Sequence, residues 1–173
     1  MRESQLPGRG SGGAPWPGEY AMRRRDREIT DRAAIESIIR RSLVCRLALS
    51  RDNQPYVVPL CFGYEDATLY FHCAQEGMKV DMLRANDAVC VEFDTDQEVS
   101  RGKQACQWGM RYRSVIAFGR ASFVEETGAK RKAFDLIMRQ YSQELHGYTD
   151  QALEQVMVVK VDIDSMTGKQ SGY

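Results

Sequence analysis

The fold of this chain is constrained most by a series of short segments in which apolar and polar residues alternate. In the clearest, Leu43 to Leu49, apolar residues occupy the odd positions and Arg46 faces the other way, as in a half-buried β-strand. Asp52 and Asn53 then favour a turn. The second and third strands are predicted over residues 56–62 and 68–73, with residues 63–66 turning the chain between them. We expect these first three strands to form an antiparallel meander. Three more strands are predicted over residues 88–93, 111–124 (with Gly119 as a bulge or bend) and 156–163.

Two main helices accompany these strands. The first is expected to be capped by Thr30 and the second to begin at Thr127, while shorter helical pieces are predicted from Gly77 to about Asn86 and over 149–155. The residues expected to face the core are Ile35, Ile38 and Ile39, then Met78, Met82 and Leu83, and finally Ala133, Phe134, Ile137, Met138 and Tyr141. Six strands without βαβ alternation predict a mainly β (α+β) domain, a small antiparallel barrel with flanking helices.

Length and charge narrow the classes of function. A chain of 173 residues suits one domain with a hydrophobic core. Its 24 basic and 24 acidic residues balance, so no nucleic-acid partner is expected. Because no apolar stretch approaches the roughly 18 to 20 residues of a membrane helix, no membrane partner is expected either.

The five cysteines are odd in number, and four of them lie in apolar, strand-like runs. Thiols in such runs behave as small hydrophobic groups. With no secretory signal ahead of them, they indicate reduced thiols in a cytoplasmic protein. Cysteine and histidine do not cluster at ligand spacing, so no metal site is expected.

The first 21 residues differ in composition from the rest, since glycine and proline recur with few aliphatic residues between them. Such a segment cannot bury enough surface to offset the entropy of ordering it. We therefore expect a disordered extension over residues 1–21 and one folded domain over residues 22–173.

Pro59 lies inside an otherwise regular strand. Because proline has no N–H for the ladder, this position indicates a sheet edge or a bulge. Free backbone groups of Val57, Val58 and Leu60 would then be available to a planar heterocycle. An edge strand protected against aggregation explains the same pattern, so both interpretations stay open.

The segment from His72 to Lys79 combines a strand end with a helix start. A helix beginning near Gly77 offers free N–H groups and a positive dipole end, which favour a phosphate. Lys79 in the first turn is electrostatically unfavourable unless an anion is nearby. A solvated Lys79, and a His72 bonded to its strand neighbours, are the structural alternatives.

A second polar cluster follows in the fifth predicted strand. Alternation places Arg111 and Arg113 on one face and Ser114 on the other, close to Trp108. Two arginines beside a tryptophan suit a phosphate or carboxylate near a stacked ring. An exposed polar face of the barrel accounts for the cluster equally well. The chain has no nucleophile elbow and no phosphate-binding glycine motif.

Several of these segments, in order, resemble the pyridoxamine 5′-phosphate oxidase-related FMN-binding split-barrel proteins of the nitroimidazole-resistance (Nim) type. The resemblance covers roughly residues 22 to 169. The matching segments are Val44 to Leu49, Pro55 to Leu60, Leu69 to Ala74, Gly77 to Lys79, Trp108 to Val115, Phe118 to Ala121 and Met166 to Lys169.

This resemblance implies a six-stranded split barrel and a homodimer with FMN at the subunit interface. It implies that the strand holding Val57, Val58, Pro59 and Leu60 lines the isoalloxazine ring. It also implies that the phosphate is approached by His72, Cys73 and Lys79, and that a partner contributes Trp108, Arg113 and Ser114.

The resemblance further implies a flavin-dependent oxidoreductase that reduces small nitro-aromatic or similar compounds with electrons from NAD(P)H. His72 is the expected catalytic residue, since the matching histidine lies near the active centre. The segment His72-Cys73-Ala74 departs from the Arg-, Thr- and Ser-rich pattern of pyridoxamine 5′-phosphate oxidase proper, so that activity is not expected. The alternative is a non-enzymatic protein that stores or senses flavin or haem.

Overall fold

The computed structural model describes residues 22–144 and 146–173. The extension expected over residues 1–21 lies outside the described residues. The remaining chain forms one eight-stranded antiparallel sheet with helices packed against it. Its strands are β1 (Glu28–Ile29), β2 (Cys45–Arg51), β3 (Gln54–Leu60), β4 (Gly63–Glu65), β5 (Thr68–Cys73), β6 (Ala88–Ser100), β7 (Gly109–Val124) and β8 (Met157–Ser171). Its helices are α1 (Arg32–Arg41), α2 (Met78–Ala85), α3 (Thr127–Tyr141) and α4 (Asp150–Glu154).

The sheet runs in the order β3-β2-β6-β7-β8-β5-β4, with β1 added to β8. This arrangement confirms the predicted class, a mainly β domain with a split antiparallel barrel and flanking helices. The number of strands differs, because eight are present where six were predicted. The two additional strands, β1 and β4, have two and three residues, too few for alternation to be visible in the sequence.

The predicted meander is correct for its first hairpin and wrong for its third strand. β2 and β3 pair across a turn in which Asp52 and Asn53 have φ values of 50° and 62°, as the two-residue hairpins of twisted sheets require. β5, however, pairs with β4 and with β8 instead of β3. Residues 63–65 are strand where a turn was predicted, and the chain reverses at Asp66 and Ala67.

This topology leaves β3 at the end of the sheet. Among the described strands it pairs with β2 alone, and Pro59 lies opposite Arg46 in that ladder. The sheet edge predicted from Pro59 is therefore confirmed. The proline is tolerated because the missing N–H removes no bond from a central strand.

Packing inside the barrel also explains which helix residues were assigned correctly. Ile35, Ile38 and Ile39 are buried as expected. The cap of α1 is Asp31 and not Thr30, since the Asp31 carboxylate accepts from two first-turn N–H groups at 3.2 and 3.3 Å. Met82 and Leu83 are buried, but Met78 is 49% exposed, because it precedes the turn that packs inward.

Helix α3 begins at Thr127 as predicted and packs against β4 and β5. Its buried residues include Ala133 and Ile137, whereas Tyr141 at its end is exposed. The predicted helical piece near residue 150 is present as α4. None of the helices in the described ranges has the length and apolar character that a membrane crossing requires.

The bulge predicted at Gly119 is present as a register shift between β7 and β8. A Cβ at Gly119 would overlap the carbonyl oxygen of Asp162. We expect Gly119→Ala to lower the free energy of unfolding by about 1–3 kcal/mol, because the two longest-paired strands must separate locally. Chemical denaturation measures the change. Gly109→Ala is the matched control in the same strand, since a Cβ there has no neighbour within 4 Å, and an equal loss in both variants would contradict this explanation.

Candidate functional site

The free edge of β3 presents the four residues assigned to the flavin ring. Val57 is 58% exposed and Pro59 is also exposed, while Val58 and Leu60 are partly buried against the core. Strand alternation accounts for the two sets. The backbone on the side of β3 away from β2 has no partner strand in the described part of the chain. This edge can thus offer N–H and C=O groups to a ligand.

His72 lies near the end of β5 on the face opposite Phe71 and Cys73, as predicted. Its side chain is exposed, but one ring face stacks on Phe134 of α3, with 5.1 Å between ring centroids and 27° between planes. Within residues 22–144 and 146–173 its nitrogens have no hydrogen-bond partner. Partial burial, together with the nearby Lys79 charge, lowers the pKa of His72, so the imidazole is neutral near pH 7.

The start of α2 has the features expected of an anion site. Gly77 precedes it with φ 118°, and no side chain caps its first turn. The N–H groups of that turn therefore lack intrahelical acceptors. Lys79 has no carboxylate partner among the described residues, and its ammonium lies 5.9 Å from the centroid of the Phe71 ring.

Lys79 also acts electrostatically on the end of β5. Burial holds the pKa of the Cys73 thiol above its ordinary value, and the Lys79 charge opposes that shift. The same charge contributes to the lowered pKa of His72. The structure thus brings three predicted site residues, His72, Cys73 and Lys79, into one neighbourhood.

A groove of about 350 Å³ separates the β2–β3 hairpin from the start of α2. Met78 lies on its wall, immediately before Lys79. On the strand side the groove is bordered by Gln54 at the start of β3, and the residues predicted for the flavin ring and the phosphate are not among those that line it. Its lining residues are Arg51, Asp52, Gln54, Met78, Asp81 and Met82. The groove was not predicted from the sequence, because Met78 was expected to face the core.

The second predicted cluster is arranged differently from the expectation. Arg111 and Arg113 do share a face, but the ring beside them belongs to Tyr173, with guanidinium carbons 4.3 and 3.9 Å from its centroid. The expected proximity of Trp108 to these arginines was wrong. Trp108 is 53% exposed and lies near Arg101, because it precedes β7 and falls outside the strand alternation.

Arg113 also belongs to a hydrogen-bond network with Asp96 and Arg41 that the sequence did not indicate. Asp96 accepts from Arg41 and from Arg113, each at 2.7 Å. These two arginines lower the pKa of the Asp96 carboxyl. Asp96 has φ 60° beside the register shift of β6. Ser114 occupies a ladder position between Asp94 and Lys169.

The two clusters lie far apart within one chain. His72 pairs with Val158, and Val158 pairs with Val124 at the end of β7. Arg113 lies eleven residues earlier on that strand (124 minus 113). At about 3.3 Å per residue this is roughly 36 Å along β7. The structure therefore does not bring Trp108, Arg113 and Ser114 together with His72 and Lys79 in one chain.

The Asp96 network predicts a pH-dependent contribution to stability. Since the pKa of Asp96 is lowered in the folded state, its contribution is complete above about pH 4 and is lost as the pH falls through the folded value. We expect Asp96→Asn to be less stable by about 1 kcal/mol at pH 7, with the difference shrinking below pH 4. Thermal unfolding from pH 3 to 7 measures it. Asp87→Asn, which removes a single surface pair with Arg120, is the control; a pH-independent difference for Asp96→Asn would contradict the assignment.

Comparison with known proteins agrees with this architecture. A family model described as pyridoxamine 5′-phosphate oxidase matches residues 31–170. The structure of a candidate 5-nitroimidazole antibiotic resistance protein from Bacteroides thetaiotaomicron is 40% identical, covers 83% of this chain and 86% of its own, and superposes with a TM-score of 0.75.

Two more distant proteins extend the comparison. The FAD- and haem-binding protein of Mycobacterium smegmatis shares the fold at 22% identity and a TM-score of 0.76, over 85% of this chain and 74% of its own. An uncharacterized protein of Rhizobium meliloti is 27% identical over 92 residues. The match covers 53% of this chain and 54% of that protein, so the chain spans about half the length of this relative. As its motifs predicted, the chain belongs to the pyridoxamine 5′-phosphate oxidase-related family, with its similarity on the nitroimidazole-resistance side.

Proposed function

We propose that this chain binds FMN and acts as a flavin-dependent oxidoreductase. The observation that carries the proposal is Lys79, which lies in the uncapped first turn of α2, has no carboxylate partner among the described residues and is close enough to the end of β5 for its charge to lower the pKa of His72. A cation without a carboxylate partner at the positive end of a helix is unfavourable alone, and a bound phosphate removes that cost. Family membership supports the choice of a flavin as the molecule that carries the phosphate.

The other parts of the site fit the rest of the cofactor. The free edge of β3 offers backbone donors and acceptors to the polar edge of an isoalloxazine, and the exposed Val57 and Met78 offer apolar contact. Backbone groups suit this task because they are rigid and do not titrate. When bound, the flavin would supply the hydride and electron transfer.

His72 would hold a proton donor and an acceptor next to the cofactor. A neutral imidazole carries one of each, and neither is used by a described residue. Small nitro-aromatic compounds, reduced with electrons from NAD(P)H, are the proposed substrate class. The 40% identity with the Bacteroides protein supports that class. We do not propose pyridoxamine phosphate oxidation, since His72-Cys73-Ala74 replaces the Arg-, Thr- and Ser-rich phosphate-binding pattern of that enzyme.

A homodimer with the cofactor at its interface is part of the proposal. The separation of Trp108, Arg113 and Ser114 from Lys79 within one chain supports a site completed by a second copy. The outer face of the sheet also carries exposed apolar residues, with Val57 and Ile116 both more than 40% exposed. Val57 begins an apolar cross-strand row that continues through Ala48, Cys90 and Phe118, whereas the next row, from Pro59 to Ile116, passes through the ion pair of Arg46 and Glu92.

A flavin- or haem-binding protein without enzymatic activity is the second candidate. The observation that favours haem is the unpartnered pair of His72 nitrogens, which are of the type that ligates haem iron. A visible spectrum of the purified protein distinguishes the candidates. We expect the two-band spectrum of a flavin, bleached by NADPH without oxygen. A Soret band would favour haem, and a flavin that NADPH does not bleach would contradict the proposed electron donor.

Loss of Lys79 is the direct test of the phosphate site. We expect Lys79→Ala to weaken FMN binding roughly ten- to hundredfold, the effect of losing one charge-assisted bond, and Lys79→Arg to retain most of the affinity. Titration of the apoprotein followed by flavin fluorescence measures the dissociation constants. Lys132→Ala, which removes a lysine paired with Glu65 away from the groove, should bind as the wild type does. Unchanged affinity in Lys79→Ala would remove this residue from the site.

The shared site can be tested by mixing subunits. Lys79→Ala and Trp108→Ala should each weaken FMN binding as homodimers. In a mixed dimer purified through two different tags, one site receives both substitutions and the other receives neither. We expect one site of wild-type affinity per mixed dimer, counted by flavin absorbance. Two equally weakened sites would place both residues in a single-chain site and contradict the shared one.

A further inference from the structure

His72 is exposed and makes no hydrogen bond to the described chain, yet its ring is not left free to rotate. Phe134 of α3 covers one face of the imidazole at a centroid distance of 5.1 Å and an angle of 27°. An exposed strand side chain without such a contact samples several rotamers. The near-parallel stack restricts the ring to orientations that keep it against Phe134.

The stack is supported from behind. Phe134 contacts Tyr148, with 5.2 Å between their centroids. The hydroxyl of Tyr148 donates to the carbonyl of Phe134 at 3.4 Å. The carbonyl of Tyr148 in turn accepts from Arg131 at 2.7 Å. Phe134 is thus held on both sides, by its own helix and by the segment that leads into α4.

We propose that Phe134 is a positioning residue for the site, which holds the His72 imidazole in one orientation so that its two unpartnered nitrogens are presented to the bound substrate. The role of His72 toward a substrate rests on the proposed function. The arrangement of the two rings does not. In the fixed orientation the N–H of the ring can donate to an oxygen of the substrate, of the nitro, carbonyl or carboxylate kind.

Charge in the neighbourhood is consistent with this role. The charged group that acts on His72 is Lys79 from α2, whose ammonium lies over the Phe71 ring. The side chains of Phe71 and Cys73 lie on the other face of β5. Burial against α3 and the Lys79 charge both lower the pKa of His72. The ring therefore stays neutral and keeps one acceptor and one donor.

The test uses the fact that the chain has only two histidines, His72 and His146. Proton NMR of the flavin-free protein follows both through a pH titration, with His146 as internal reference. In the wild type we expect the His72 ring protons to be displaced upfield by the facing Phe134 ring. Phe134→Leu should abolish that displacement and raise the pKa of His72, because the ring gains solvent. Phe134→Tyr, which keeps a ring, should preserve both.

A matched control separates positioning from stability. Phe123→Leu removes another partly buried phenylalanine, on the opposite face of the sheet from His72. It should lower Tm without moving either His72 signal. If the wild-type ring protons show no upfield displacement, or if Phe134→Leu leaves the His72 titration unchanged, the proposal is overturned.

A second measurement links the ring to activity. In flavin-loaded protein, Phe134→Leu should lower kcat for a nitro-aromatic substrate roughly tenfold with FMN affinity unchanged. A wild-type kcat with an altered His72 titration would overturn the part of the proposal that concerns the substrate. Failure of the protein to bind FMN at all would instead count against the proposed function, and the NMR result on the flavin-free protein would still decide whether Phe134 positions His72.

Discussion

The ladder between β7 and β8 is the interaction on which the rest of the structure depends. β8 pairs with β7 along nearly its whole length, and on its other side it carries β5 near one end and β1 near the other. The strand that holds His72 and the Arg113 end of β7 therefore pair with opposite ends of β8. The Gly119 irregularity lies between them and bends the ladder, so that a flat sheet becomes a barrel wall.

The same ladder explains why the barrel stays open. β5 pairs with β8 on one edge and with β4 on the other, so neither edge of β5 is left to pair with β3. β3 is left with a free edge, which a proline and an exposed valine occupy. In most proteins such an edge is covered or made uninviting to other strands. Here the start of β3 and the uncapped first turn of α2 border one groove, through Gln54 and Met78. The open barrel thus leaves the outer edge of β3 without a partner strand in the described part of the chain.

Features of the fold and the site that depend on neighbouring residues could be predicted from the sequence, whereas contacts between residues distant in the sequence could not. Pro59 at an edge, Gly119 at a bulge and Lys79 in a first turn are local features, and all three were predicted correctly in place. The ends of β6 and β8 were not, because their polar residues pair through the backbone and leave no apolar pattern. Partners such as Asp96 for Arg113, 17 residues apart, or Phe134 for His72, 62 residues apart, arise from packing alone. Packing also explains why the ring beside Arg111 and Arg113 belongs to Tyr173 and not to Trp108, as the sequence had suggested.

The two basic centres differ in a way that assigns them different tasks in the proposed site. Arg113 already shares Asp96 with Arg41, so an anion arriving there must compete with a carboxylate that accepts two short hydrogen bonds. Lys79 has no such competitor in the described chain and is joined by the free N–H groups of α2. Because displacing a paired carboxylate costs free energy and filling an unpaired site does not, the proposed site places the dianionic phosphate at Lys79. In that proposal Arg113 is left to a more weakly charged group, and its location at the far end of β7 requires a second copy of the chain to bring it to the site.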